Sequence, residues 1–269
     1  MKLLNSKIVF IMMIGFVLVL AACGKQNSNN GSSKDKVLNV GTEATFAPFE
    51  YQQKGKIVGF DVDLLNAVAK QAGYKISIKN TGWDAMLAGL QNKELDVGMA
   101  GITINDERKK SYDFSNPYFE SKSMIVFKKG TNIKTAKDLI GKKVGVQNGT
   151  TGQFTAESIL GKNSNKISKY ETSALCFTAL KSGDVDAVVT DNAVALQYVK
   201  NNPNSNLETV TDKSFKSEYY GIAFPKNSDL KAKFDKALTK VMDNGEYAKI
   251  YKKWFNKQPD VDVLKNAAK

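Results

Sequence analysis

The chain has 269 residues, with 39 lysines and arginines against 27 acidic residues, a formal net charge of +12, and no histidine. Histidine is the commonest general base and metal ligand, so its absence excludes serine-hydrolase triads and zinc–histidine sites, and we expect neither a metal nor a cofactor. The basic surplus suits nucleic acid or anionic polymers of the cell envelope. The envelope is favoured, and no nucleic-acid partner is expected, because the lysines are scattered without a nucleic-acid-binding motif.

The N-terminal segment predicts export. Two lysines accompany an apolar run over residues 8–20, which is shorter than the ~20 residues that a spanning helix needs. The run ends in Leu20-Ala21-Ala22-Cys23, the cleavage pattern of a lipoprotein. We therefore predict a signal peptide over residues 1–22 and a lipid such as palmitate on Cys23. The alternative is an uncleaved membrane anchor, and either form places the rest on the extracellular face of the membrane, or on its periplasmic side in a cell with an outer membrane.

Residues 23–36 are rich in Asn, Ser, Gly and Lys, a composition that predicts a flexible tether. The folded part is expected to begin near Val37. It leaves roughly 230 residues, enough for two lobes of roughly 100 residues each. Cys176 is the only cysteine besides Cys23, so no internal disulfide is available once Cys23 is lipidated. Its apolar neighbours favour a buried side chain over a reactive thiol.

Apolar periodicity predicts alternating strands and helices in both halves of the chain. The first half reads as strand 37–41, helix 60–72 ended by Gly73, strand 76–78, helix 83–90, a near-continuous buried strand 95–100, and strand 123–127. The second half reads as strand 144–146, helix 151–160, strand 167–170, helix 174–181, strand 187–189, strand 220–225, and a helix over 230–255 interrupted at Asn244-Gly245. The stretch from Asn256 is expected to pack weakly. The repeated βαβ order predicts an α/β protein with two lobes.

Ligands of open α/β sheets bind beyond the carboxyl ends of the strands. Polar, small and aromatic residues end or follow the predicted strands there: Glu43, Phe46, Trp83, Ala100, Gly101, Thr103, Arg108, Gln147, Thr150, Thr151 and Asp191. Their functional groups suit a free amino acid. A guanidinium holds a carboxylate through two parallel hydrogen bonds, an aspartate pairs with an ammonium, and two aromatic rings cover a side chain.

Several of these residues also have purely structural explanations. Arg108 lies in a charged stretch that is typical of a solvated turn. Trp83 begins an amphipathic helix and suits a core position. Asp191, like Thr150 or Thr151, suits the N-cap of the helix that follows it. Glu43 suits a surface loop, and pattern alone leaves these alternatives open.

More specific are motifs that follow one another in order: Gly41-Thr42-Glu43-Ala44-Thr45-Phe46-Ala47-Pro48-Phe49-Glu50, Gly59-Phe60-Asp61-Val62-Asp63-Leu64, Gly101-Ile102-Thr103-Ile104-Asn105-Asp106-Glu107-Arg108, Asp113-Phe114-Ser115, Tyr220-Gly221-Ile222-Ala223-Phe224 and Ile250-Tyr251-Lys252-Lys253-Trp254-Phe255. The chain that carries them resembles the extracellular solute-binding proteins, family 3 type, of ABC importers for polar amino acids. The resemblance covers residues 37–255.

This resemblance implies a two-lobed, periplasmic-binding-protein-like α/β fold of type II, in which each lobe is a mixed sheet flanked by helices and two crossing segments form a hinge. Lobe 1 would hold residues 37–124 and 222–269, and lobe 2 residues 125–221. It also implies a monomer that is not an enzyme and whose partner is the importer's permease. A dehydratase-type enzyme and a sensory module are the alternatives on this fold.

The resemblance assigns roles as well. Arg108 looks like the α-carboxylate clamp, assisted by Thr103 and the backbone amide of Thr151. Asp191 looks like the partner of the α-ammonium, assisted by Gly101. The family's aromatic pair around the ligand side chain corresponds to Phe46 and Trp83.

Side-chain specificity depends on Glu43 and Gln147. Related receptors carry an acid that reaches the distal end of the ligand at the place of Glu43, and some glutamine receptors carry a lysine at the place of Gln147. With Glu43 and Asp191 opposed only by Arg108, a zwitterion leaves about one negative charge unmatched, and a buried unpaired charge is costly. Arginine or lysine is therefore favoured, and a glutamine receptor is the alternative.

Overall fold

The structure of this chain is a computed structural model and describes residues 37–268. The predicted signal peptide, the lipidation site at Cys23 and the tether lie outside the described residues. Within residues 37–268, no helix is both long enough and apolar enough to cross a membrane.

The helices of residues 37–268 agree closely with the periodicity of the sequence. They are α1 (Phe60–Ala72), α2 (Trp83–Gln91), α3 (Asp106–Ser111), α4 (Thr151–Leu160), α5 (Ser173–Ser182), α6 (Asn192–Asn201), α7 (Leu230–Asp243), α8 (Glu246–Phe255) and α9 (Val261–Ala267), with short 3-10 helices at Ala136–Leu139 and Pro203–Ser205. The end of α1 follows the predicted mechanism, because Gly73 adopts a left-handed conformation with φ 83°.

The strands of the described residues are shorter. They are β1 (Val37–Thr42), β2 (Thr45–Phe46), β3 (Glu50–Gln53), β4 (Lys56–Val58), β5 (Lys75–Asn80), β6 (Val97–Gly98), β7 (Tyr112–Phe114), β8 (Phe119–Ser121), β9 (Ser123–Lys128), β10 (Val144–Gln147), β11 (Ile167–Tyr170), β12 (Ala187–Asp191), β13 (Leu207–Val210), β14 (Glu218–Tyr220) and β15 (Ala223–Pro225).

Two mixed five-stranded sheets form the two lobes. The first has the order β5-β1-β6-β15-β7 and the second the order β11-β10-β12-β9-β13. In each sheet the second strand in this order, β1 or β10, is parallel to both of its neighbours. The chain leaves the first sheet after β7 and returns to it at β15, and at these two crossings β8 and β14 pair as an antiparallel ladder.

A cluster of aromatic side chains lies beneath the crossings. Phe49 of the first lobe packs edge-on against Phe119 of β8, with ring centroids 4.8 Å apart. Phe119 in turn stacks on Tyr220 of β14 at 5.4 Å. Such pairs bury large apolar areas and have defined geometry. Both crossing strands are therefore held against the core of the first lobe, which includes Phe60 of α1 and Phe255 of α8.

The prediction of a strand over 95–100 was wrong in its length, because only Val97–Gly98 pairs in the sheet. The following backbone forms other hydrogen bonds. The carbonyl of Met99 accepts from the hydroxyl of Thr42 at 2.7 Å, and the Gly101 N–H donates to Asp61 at 2.9 Å. These side-chain partners bend the chain out of the ladder, at a glycine with φ 54°.

Two expectations for the C-terminal part were also wrong. The single strand expected over 220–225 is split into β14 and β15, because the chain changes sheets between them and the Ile222 N–H donates to the hydroxyl of Ser115. The stretch after Asn256 does not pack weakly throughout. It forms α9, whose Leu264 is buried in the main core cluster.

Candidate functional site

The strand-end residues that the sequence singled out meet in one pocket between the two lobes. This pocket is lined by Glu43, Phe46, Trp83, Ala100, Gly101, Thr103, Arg108, Gln147, Thr150, Thr151 and Asp191. These residues converge because β1 and β10 each pair in parallel with their neighbours. Parallel strands end at the same edge of a sheet, so the loops that follow them lie side by side.

Arg108 is a buried cation at one end of the pocket rather than part of a solvated turn. Its side chain, 8% exposed for the residue as a whole, donates from Nη1 to the Thr103 carbonyl at 3.0 Å and from Nη2 to the Gly149 carbonyl of the other lobe at 3.1 Å. Its guanidinium carbon lies 4.9 Å from the ring centroid of Trp83. Burial lowers the pKa of Arg108 to about 10, so it stays charged at neutral pH.

Within residues 37–268, no carboxylate forms an ion pair with Arg108. Its side-chain partners are neutral carbonyls. A buried charge without a counter-ion is costly, and an anionic ligand would supply one. Arg108 is therefore chemically suited to hold a carboxylate.

Asp191 is a half-buried acid with an unused oxygen. Its Oδ1 has no hydrogen-bond partner among the described residues, although it is inaccessible to solvent. Burial, helped by the negative charge of Glu218, raises the pKa of Asp191 to about 7. The N-cap alternative is not realised, because the side chain of Asp191 makes no capping hydrogen bond to α6. A ligand ammonium would satisfy this oxygen and stabilise the ionised carboxylate.

Glu43 forms a contact between the lobes. Its Oε1 accepts from the Thr45 hydroxyl at 2.7 Å, and its Oε2 accepts from Gln147 Nε2 at 2.6 Å. Burial raises the pKa of Glu43, and these two hydrogen bonds oppose the increase. Glu43 is therefore not a surface loop residue. Its carboxylate is enclosed where the first lobe meets the second.

The remaining predicted residues have mixed roles. Trp83 packs in a core cluster with Met86 and Leu90, as its periodicity predicted, and it also lines the pocket. Thr150 is the N-cap of α4, where its hydroxyl accepts from the Gln153 N–H. The N–H of Gly101 is occupied by Asp61, which leaves the Gly101 carbonyl for a ligand.

Glu218 lies in β14 and was not among the predicted site residues. Its Oε2 accepts from the Thr103 hydroxyl at 3.0 Å, and its charge acts on both Arg108 and Asp191. Thr103 and Glu218 are 115 positions apart along the chain. No local pattern reveals such a pair, since it arises only from the crossing of the chain between the sheets.

Other reactive groups do not form a second centre. In the part of the chain that the structure describes, no three or more His, Cys, Asp or Glu side chains are placed to hold a metal ion. Cys176 is buried, as its apolar neighbours predicted, and burial raises the pKa of its thiol to about 12. A thiol in this state is unreactive at neutral pH.

Two α/β lobes joined by two crossing strands, with a polar pocket lined by both lobes, define a solute-binding protein of the periplasmic-binding-protein-like type. The chain belongs to the bacterial extracellular solute-binding proteins, family 3, whose sequence profile matches residues 38–257.

Similar proteins cover nearly the whole described chain. A solved structure of the arginine-, lysine-, histidine-binding protein ArtJ from Geobacillus stearothermophilus is 59% identical, with a TM-score of 0.84, and the match covers 86% of this chain and all of that one. A probable histidine-binding protein of Neisseria gonorrhoeae is 42% identical over 90% of this chain and 92% of its own length. The arginine-binding extracellular protein ArtP of Bacillus subtilis is 38% identical over 88% of this chain and 92% of its own length.

Proposed function

We propose that this protein captures a cationic amino acid, arginine or lysine, outside the cell and delivers it to an ABC importer. One observation carries the proposal: the pocket holds one buried cation, Arg108, against two acids, the buried Glu43 and the half-buried Asp191. Arg108 would hold the α-carboxylate and Asp191 the α-ammonium. Glu43 then has no counter-ion unless the ligand side chain is positive.

The names of the relatives support this assignment, since they include arginine, lysine and histidine as ligands. A second support is the charge of Glu218, which lies behind Thr103 and makes the pocket still more negative. Glutamate would place a second carboxylate among these acids and is excluded on electrostatic grounds. Glutamine is neutral, so it would leave Glu43 unpaired.

Delivery would depend on closure of the lobes around the ligand. Two hydrogen bonds already join the lobes across the pocket, from Arg108 Nη2 to the Gly149 carbonyl and from Gln147 Nε2 to Glu43. Both involve proposed ligand-binding side chains, so ligand binding and closure are coupled. Hinge motion at β8 and β14 would then present the closed form to the permease.

Glu43→Gln is expected to separate the cationic from the neutral amino acids. The variant keeps the shape of the side chain but removes its charge, so arginine affinity should fall at least about thirtyfold, since breaking a buried charge pair costs about 2–5 kcal/mol. Glutamine affinity should change less than about fivefold. Calorimetric titration of the twenty amino acids checks this, with Glu94→Gln as the exposed control on the same lobe. Equal losses for arginine and glutamine would overturn the cationic assignment in favour of a glutamine receptor.

The proposal treats the protein as a binding protein and not as an enzyme. Its acids are accounted for as ligand partners, which leaves no general acid in the pocket for a dehydratase reaction. Recovery of an unaltered amino acid after incubation with the protein is the expected result, and turnover would contradict it.

Lipid anchoring through Cys23 and action as a monomer are further parts of the proposal. The sequence Leu20-Ala21-Ala22-Cys23 supports the anchor. Cys23→Ser is expected to abolish incorporation of labelled palmitate and to reduce the share of the protein that sediments with membranes. Unchanged labelling would rule out Cys23 as the acceptor.

A further inference from the structure

The Glu43 end of the pocket is held by a chain of four hydrogen bonds. The Ser173 hydroxyl donates to Gln147 Oε1 at 2.8 Å. Gln147 Nε2 donates to Glu43 Oε2 at 2.6 Å and to the Glu171 carbonyl at 3.1 Å. The Thr45 hydroxyl donates to Glu43 Oε1 at 2.7 Å. Ser173, Gln147 and Glu43 are each less than 5% exposed.

These neighbours determine which way the Gln147 amide points. Both partners of Nε2 are pure acceptors, a carboxylate and a backbone carbonyl, whereas the partner of Oε1 is a hydroxyl that can donate. The reversed amide would place its oxygen against two acceptors. The hydrogen bond from the Ser173 hydroxyl to Oε1 stabilises the observed orientation of the amide.

The hydroxyl of Ser173 is not needed by its own helix. Ser173 is the first residue of α5, but the N-cap is Thr172, whose side chain accepts from the Leu175 N–H at 3.2 Å. Ser173 is 2% exposed, and its hydrogen bond joins residues 26 positions apart. The contact therefore acts on the pocket rather than on the helix end.

The donors of this network are all in use. A hydroxyl has one hydrogen to donate, which Ser173 and Thr45 each use, and the two amide hydrogens of Gln147 go to Glu43 and to the Glu171 carbonyl. Each oxygen of Glu43 accepts one hydrogen bond here and has capacity for another. The network thus offers acceptors and no free donor.

A further hydrogen-bond donor of the pocket, the indole N–H of Trp83, lies away from Glu43. The indole Nε1 of Trp83 is buried without a partner among the described residues, and it lies against Gly149. Gly149 is the residue whose carbonyl accepts from Arg108. This donor therefore belongs to the end of the pocket that is suited to the carboxylate.

We propose that Ser173 is a specificity-determining positioning residue, which fixes the Gln147 amide so that the distal end of the pocket accepts hydrogen bonds only. The inference rests on the proposed function and deepens it by naming the ligand chemistry. Guanidinium and ammonium groups, which only donate, fit such a site. A carboxamide fits poorly, because its oxygen would be buried without a donor, and a buried unsatisfied oxygen is costly.

Ser173→Ala tests this positioning role. Without the hydroxyl, Gln147 Oε1 loses its donor, and only the two acceptors at Nε2 still favour the observed orientation of the amide over the one that turns an N–H toward a ligand oxygen. The ratio of arginine to glutamine affinity should fall about fivefold to tenfold, the range expected for one hydrogen bond. Ser173→Cys, which is nearly isosteric but a weak donor, should lower the ratio as well, and Ser173→Thr should restore it.

Titration calorimetry of the full-length protein with L-arginine and L-glutamine gives the ratio for each variant. Ser182→Ala is the matched control, because Ser182 lies at the other end of α5 and its hydroxyl contacts only its own helix and Asp184. It should leave the ratio unchanged. A structural role alone would weaken both amino acids equally, so an unchanged ratio in Ser173→Ala, beside a wild-type protein that prefers arginine, overturns the inference and leaves the proposed function intact. Binding of neither arginine nor lysine by the wild type overturns both.

Discussion

Replacement of Arg108 by alanine is expected to reduce amino-acid affinity by at least about a hundredfold. Arg108 is buried, it is charged at neutral pH, and within residues 37–268 its side-chain hydrogen bonds go to the carbonyls of Thr103 and Gly149. In the proposed complex it is the cation that pairs with the ligand carboxylate. Truncating one partner of a buried, hydrogen-bonded charge pair costs about 2–5 kcal/mol, and about 2.7 kcal/mol corresponds to a hundredfold change. Titration calorimetry with arginine measures the loss.

Two other substitutions make this result specific. Lys109→Ala removes an exposed cation from the next position of α3 and should leave the affinity within about twofold. Arg108→Lys keeps the charge but not the planar fork, so an intermediate loss is expected. Because Arg108 also bonds the Thr103 carbonyl, thermal unfolding of each variant must show that the fold is retained. Undiminished arginine binding by a folded Arg108→Ala protein would contradict the site assignment.

Asp61→Ala is expected to destabilise the whole fold. Asp61 is 1% exposed, and its Oδ2 accepts from the Gly101 N–H at 2.9 Å and from the Tyr118 hydroxyl at 2.8 Å. Its charge also acts on Glu50, which is completely buried. The alanine variant leaves these groups without a partner, at about 1–3 kcal/mol each, so the free energy of unfolding should fall by about 4 kcal/mol. Urea denaturation measures this change.

Asp63→Ala is the matched control, because Asp63 lies on the same helix but its side chain is 32% exposed and pairs with the exposed Lys253. Loss of such a pair should cost about 1 kcal/mol or less. Similar destabilisation by both variants would contradict the role given to Asp61. The contrast matters for function, since Asp61 positions Gly101, which lines the pocket, and Tyr118, which lies next to β8.

The stability that Asp61 and Glu50 contribute is also expected to depend on pH. Burial raises the pKa of Asp61 to about 6, and burial together with the charge of Asp61 raises the pKa of Glu50 well above its ordinary value. Above about pH 4 these two groups bind more protons in the native state than in the unfolded state, so the stability they contribute is greatest in acid and is lost as pH rises through their two pKa values. An increase of the pKa of Asp61 from its ordinary value to about 6 corresponds to a change of about 3 kcal/mol in the free energy of unfolding.

Glu50→Gln separates the two contributions. The amide can donate to Asp61 but does not titrate, so this variant should lose less stability than the wild type over the pH range in which Glu50 loses its proton. Denaturation in urea at a series of pH values gives both curves. Parallel curves over the whole pH series would show that Glu50 does not bind its proton more tightly in the folded state than in the unfolded chain.

Local patterns determined much of the fold. The helix over 60–72, the helix over 151–160 and the strand over 167–170 have the predicted bounds, because apolar periodicity and a glycine stop act within one element. The members of the pocket were also predictable. Parallel strands end at a common edge of the sheet, so residues at the ends of neighbouring strands lie close together.

The tertiary structure decided what those residues can do. The sequence left Asp191 as either a helix cap or a ligand partner; among the described residues, its side chain makes no capping bond and its buried Oδ1 has no hydrogen-bond partner. The contact between Glu43 and Gln147 joins positions 104 apart, and that between Thr103 and Glu218 joins positions 115 apart. Burial, pKa values and hydrogen-bond partners depend on groups brought together from distant parts of the chain, and local periodicity carries no information about them.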